Sequence, residues 1–138
     1  MLKKLFVALV AALLIGACAD KAPPPAVAPP SFMVFFDLGS NKISEQSQNT
    51  VAQAAQAFKS RANTRITVTG YADTVGSPAI NQQLSQRRAE KVRDDLIANG
   101  VPPSAITTIG AGEDGLLVPT GQEQKEPRNR RAYIVFSN

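Results

Sequence analysis

The sequence of 138 residues contains no histidine, no tryptophan and a single cysteine. Without an imidazole, the zinc sites built on His and the hydrolase triads that need a His base are excluded. A lone cysteine also excludes an intrachain disulfide framework. No apolar run reaches the roughly 20 residues that a membrane-spanning helix requires; Leu5 to Ile15 stops at eleven. The length suits one ordinary domain and is too short for two. No metal and no cofactor is expected from the residue types that remain.

What is present begins at the amino terminus. Lys3 and Lys4 precede the apolar run, which closes on Leu14-Ile15-Gly16-Ala17-Cys18. Positive charge, a short apolar core and small residues before a Cys resemble a bacterial lipobox. The resemblance implies a signal peptide over residues 1–17, cleavage before Cys18 and lipidation of Cys18, with Ile15 standing where Leu is commoner. Acyl chains on Cys18 would then hold the protein to a membrane. Ala19, in place of the Asp that retains many such proteins in the inner membrane, implies the outer membrane with the domain facing the periplasm. Loss of Lys3 and Lys4 leaves thirteen basic against eleven acidic side chains. So small an excess removes the electrostatic case for a nucleic-acid partner.

Residues 18–31 form the lipidated Cys and a Pro-rich tether. Five of the ten prolines fall there (Pro23, Pro24, Pro25, Pro29, Pro30), and Val27 is its one large hydrophobic side chain. Such a segment cannot pack a core. The domain is expected over residues 32–138. Phe32 to Phe36 has the unbroken apolar character of a buried strand. Ser44 is placed to cap a helix running to about Ser60, with Val51, Ala54, Ala55 and Phe58 on one face. Arg65 to Thr69 alternates as a strand does. Pro78 to Ala98 is a second helix, opened by Pro and stopped by Asn99-Gly100. Ala105 to Ile109 and Arg131 to Ser137 are further strands, separated by a long loop over 112–128. The order β-α-β-α-β-β predicts an α+β two-layer sandwich, a mixed four-stranded sheet with both helices on one face.

Two features suggest chemistry. Gly70-Tyr71-Ala72-Asp73-Thr74-Val75-Gly76-Ser77 joins a strand to a helix and could gather N–H groups and a carboxylate around a ligand. On the helix that follows, Arg88 lies within about 40° of Leu84 and Val92 and about 80° of Ile80 and Leu96, so a cation sits inside the apolar arc. A semi-buried guanidinium needs an internal carboxylate, Asp95 or Asp73, or a ligand. Arg87, about 100° away, can face solvent.

Gly70-Tyr71-Ala72-Asp73, Gly76, Asn81, Leu84-Ser85-Gln86-Arg87-Arg88-Ala89, Val92, Leu96, Gly100-Val101, Gly110-Ala111-Gly112-Glu113 and Asn129-Arg130-Arg131-Ala132, in this order, resemble the OmpA-like peptidoglycan-binding domain. Phe35-Phe36-Asp37 fits the same family, and the resemblance extends from about residue 32 to the end. With the lipobox, the chain is similar to Pal-type outer-membrane lipoproteins. Tyr71 stands where many members have His, and Ile80 where many have Tyr.

The resemblance implies a non-enzymatic domain whose partner is peptidoglycan, with Asp73 taking the ammonium of diaminopimelate and Arg88 its carboxylate. Asp37, Leu38, Thr74 and Asn81 are implied as secondary contacts. Arg130 is either another contact or the partner that orients Asp73. It also implies an alternative role as adaptor for envelope proteins such as the Tol system. A carboxylate-based glycosidase, for which adjacent Glu113 and Asp114 are the candidates, is the weaker rival.

Overall fold

The computed structural model describes residues 22–24 and 28–138. The signal run and Cys18 lie outside the described residues, as does part of the Pro-rich tether. The described elements are β1 (Ser31–Phe35), α1 (Glu45–Lys59), β2 (Arg65–Gly70), α2 (Pro78–Ala98), β3 (Ile106–Gly110) and β4 (Arg131–Ser137). One-turn 3-10 helices at Pro103–Ala105 and Pro127–Asn129 lead into β3 and β4. Among the described residues no helix is long and apolar enough to cross a membrane.

The four strands form one sheet in the order β1-β4-β2-β3. β4 runs antiparallel to both β1 and β2, and β2 is parallel to β3. A parallel pair needs a crossover, and α2 supplies it. The sandwich expected from the sequence is the one observed. Side chains two apart share a sheet face, so Val34, Ile66, Val68, Ala132, Ile134 and Phe136 meet Val51, Ala54, Ala55, Ala89, Val92 and Leu96 of the helices in one core.

The first helix starts at the Ser44 cap expected from the sequence, and the structure adds a second cap at Ser77. The Ser44 hydroxyl accepts from Ser47 N–H, and the Ser77 hydroxyl from Ile80 N–H. Each thereby satisfies one of the first-turn donors that a helix leaves open. At the other end of α2, Gly100 (φ +96°) turns the chain out of the helix, a conformation that suits glycine alone without strain.

The close approach of α2 to the sheet positions everything that follows. Gly70 and Gly110 are register partners on β2 and β3. A Cβ added at Gly70 would lie 1.9 Å from the Ser85 carbonyl oxygen, and one at Gly110 would lie 2.8 Å from Gln86 N. Helix backbone rests directly on strand backbone here. Arg88, one turn beyond Ser85, is thus carried over the C-terminal end of β2.

Candidate functional site

The carboxyl ends of β1 and β2 and the first half of α2 converge on a pocket of about 160 Å³ lined by Leu38, Gly39, Asp73, Val75, Ile80, Asn81, Leu84 and Arg87. Its polar floor is Asp73, whose side chain is only 5% exposed. One carboxylate oxygen accepts from Val75 N–H at 3.3 Å; the other accepts from Arg130 Nη1 at 3.1 Å and Glu126 N–H at 3.4 Å. Arg130 also donates through Nε to the Phe36 carbonyl at 3.0 Å. Arg130 thereby ties Asp73 to the end of β1.

Asn81 is buried and donates through Nδ2 to the Asp73 carbonyl (3.2 Å), the Val75 carbonyl (3.0 Å) and Glu113 Oε1 (2.8 Å). It ties the 73–75 turn to the helix. Its own Oδ1 accepts nothing among the described residues and is left as a free acceptor in the pocket lining. Leu38 and Ile80 are 44% and 59% exposed, and they form apolar lips.

Arg88 is fully buried. It donates through Nε to the Ser40 carbonyl (2.8 Å), through Nη1 to that of Tyr71 (2.7 Å) and through Nη2 to that of Asp37 (3.1 Å). Its guanidinium carbon stands 5.2 Å from the centre of the Phe36 ring. Neither internal ion pair anticipated for it forms. Asp95 pairs instead with Lys91 at 3.2 Å, because it lies two helical turns, about 10 Å, farther along the axis than Arg88. Asp73 is held by Arg130. Arg88 is therefore a buried cation bonded only to neutral carbonyls. Burial lowers its pKa to about 10, the nearby Asp73 charge works in the opposite direction, and Arg130 adds to the fall. It remains charged at neutral pH.

The remaining sequence candidates fall in distinct places. The exposed Asp37 and Leu38 belong to the turn that Arg88 pins, closed by Ser40 N–H donating to the Asp37 carbonyl at 3.1 Å. Thr74 is buried, and its hydroxyl is spent on the loop between β3 and β4. It donates to the Gly121 carbonyl and accepts from Gln124 N–H at 3.1 Å. Tyr71 turns away and stacks on Arg131, whose guanidinium carbon is 4.0 Å from its ring centre. Of the glycosidase pair, Glu113 is engaged by Asn81, and Asp114 is exposed.

The 112–128 segment is a loop, as its composition suggests, but it straps the site rather than hanging free. Besides Thr74 and Asn81, it engages the 73–77 turn through Glu126 N–H on Asp73 and the Glu123 carboxylate, which accepts from Gly76 N–H at 3.2 Å. Glu123 itself adopts φ 57°, a left-handed conformation uncommon for such a side chain. Arg87 is exposed, as its place on the helix suggests, and it also lines the pocket. The signal was available, since Ile80, Leu84 and Arg87 stand at i, i+4, i+7.

Replacing Thr74 by the isosteric Val should cost about 1–2 kcal/mol, since the Gly121 carbonyl and Gln124 N–H lose their partner. Urea unfolding measures this, and an unchanged midpoint would show that the strap contributes nothing.

Similarities to known proteins bear on this arrangement. An outer membrane protein of Gluconacetobacter diazotrophicus is 40% identical over 112 residues, a match covering 77% of this chain and 30% of that protein. The peptidoglycan-associated lipoprotein of Brucella melitensis is 35% identical over 104 residues, covering 75% of this chain and 62% of the relative. The chain thus spans less than two thirds of the length of these relatives. The crystal structure of the peptidoglycan-associated lipoprotein from Burkholderia pseudomallei superposes with a TM-score of 0.71 at 31% identity, covering 77% of this chain and 90% of that one. Residues 35–130, which contain every element of the pocket, match the OmpA family, and the chain belongs to that family.

Proposed function

We propose that the pocket binds peptidoglycan through the diaminopimelate of its stem peptide, and that the protein ties the outer membrane to the cell wall without performing catalysis. The observation that carries this reading is the charge arrangement. Arg130 already neutralises Asp73, while Arg88 lies buried beside the pair with no counter-ion. A buried cation without an anion costs several kcal/mol. A ligand carboxylate would relieve that cost.

The free end of diaminopimelate carries an ammonium and a carboxylate on one carbon, followed by a short methylene chain. Asp73 and the free Oδ1 of Asn81 are acceptors for the ammonium. Arg88 attracts the carboxylate, and direct contact would require the carbonyls of Asp37 and Ser40 to yield part of their hold on it. Leu38, Ile80 and Leu84 suit the methylenes. Each charge-assisted bond contributes about 1.5–3 kcal/mol net. Many anchored copies facing a polymer would turn such modest affinity into firm attachment. The names of the Brucella and Burkholderia relatives support the ligand class, and Cys18 supplies the membrane anchor in this reading.

The test is co-sedimentation of the purified protein with sacculi of the diaminopimelate and lysine types. Wild type should prefer the diaminopimelate wall about tenfold or more, because lysine lacks the carboxylate; Asp73→Ala should weaken binding to both walls, because both offer the ammonium. Equal binding to both walls, or an Asp73→Ala variant that binds like wild type, would refute the assignment.

A further inference from the structure

Arg87 forms a wall shared by two hollows. On one side is the Asp73 pocket; on the other is a wider, more open depression of about 430 Å³ lined by Gln82, Gln83, Gln86 and Arg87. The surrounding cations are occupied: Arg130 by Asp73, Lys91 by Asp95, Arg93 by Asp94, and Arg88 by three carbonyls. Arg87 is exposed and makes no hydrogen bond or ion pair among the described residues. The only carboxylate lining either hollow is Asp73, whose charge Arg130 balances. Arg88 thus spends its donors on carbonyls close to Asp73, and Arg87 is left as a cation on the pocket wall with no side-chain partner among the described residues.

A diaminopimelate end offers a single carboxylate, which Arg88 takes in the reading above, and it leaves none for Arg87. We propose that Arg87 binds a second carboxylate of the ligand, carried by the peptide residue adjacent to diaminopimelate, and that the glutamine-lined depression seats the peptide leading to it. Glutamine side chains can both donate to and accept from peptide groups, and Gln83 engages no other group among the described residues. An exposed guanidinium suits a carboxylate that arrives from solvent with its fork free. The site would then recognise a segment of stem peptide rather than one amino acid, with Arg88 answering the inner carboxylate and Arg87 the outer.

The inference rests on the diaminopimelate reading, and calorimetry can separate the two. Three probes are titrated into the protein: free diaminopimelate, a stem tripeptide ending in diaminopimelate with the adjacent carboxylate free, and the same tripeptide with that carboxylate amidated. Wild type should bind the acid tripeptide about fivefold more tightly than the amide. Arg87→Gln should bind the acid and amide forms alike, with melting temperature unchanged, and Arg87→Lys should restore part of the preference. If wild type does not distinguish acid from amide, or Arg87→Gln keeps the distinction, the role of Arg87 is refuted while the diaminopimelate pocket stands. Failure of wild type to bind any of the three would refute both.

Discussion

Arg88→Ala is expected to destabilise the domain by about 3–4 kcal/mol and to abolish wall binding as well. The first effect follows from what the guanidinium holds. Its three acceptors, the carbonyls of Asp37, Ser40 and Tyr71, come from two different segments, and the side chain between them is sealed from water. Each carbonyl left without a donor costs about 1–3 kcal/mol, and removing a buried cation returns part of that sum. For a domain of this size the melting temperature should fall by about 15 °C or more. Arg88→Lys keeps the charge but concentrates its donors on one atom, which cannot span three carbonyls. It should recover less than half of the loss. Thermal and urea unfolding of both variants measure this. A loss below about 1 kcal/mol for Arg88→Ala would mean that the 37–40 turn holds itself in place.

Gly70→Ala should be comparably damaging, for a purely steric reason. The new methyl would stand 1.9 Å from the Ser85 carbonyl oxygen and 3.1 Å from Ala89 N, both backbone atoms of α2. No rotamer change relieves such a clash; the helix must lift from the sheet. Overpacking of this kind costs about 1–3 kcal/mol and occasionally more. The upper end is expected here because β3 presses the same helix through Gly110. Lifting α2 would also stretch the 2.7 Å bond from Arg88 to the Tyr71 carbonyl and the 2.8 Å bond from Gly112 N–H to the Ser85 hydroxyl. Gly70→Ala should therefore lose wall binding although residue 70 does not line the pocket. A variant with wild-type urea midpoint and binding would show that the helix can ride higher on the sheet without consequence.

Much of this architecture was legible in the chain. Ser44 marks a helix start by its hydroxyl, Pro78 another by its fixed φ, and Gly100 marks a helix end by its backbone freedom. The alternation in 65–69 and 131–137 fixes which residues enter the core. These signals are local, so a linear reading recovers them. The burial of Arg88 is legible too, from its place in an apolar arc. What Arg88 bonds was not legible. The helical wheel pointed to a carboxylate on its own helix or at Asp73, but the acceptors are carbonyls, one 51 residues away at Asp37. A backbone carbonyl has no residue type, so no sequence pattern announces it.

The loop and Arg87 teach the same lesson. Composition marks 112–128 as irregular, yet it cannot say that Thr74, Asn81 and Asp73 are all tied down by that loop. The sequence by itself determined the order of elements, the core faces, the Ser44 and Gly100 helix ends and the burial of Arg88, because each is written in short-range period or conformational preference. Only the tertiary structure decided which charges are balanced. It paired Arg130 with Asp73, buried Arg88 against neutral carbonyls and brought Arg87 to the rim. Charge compensation depends on distances between segments tens of residues apart, and those distances exist only once α2 has settled on the glycines of the sheet.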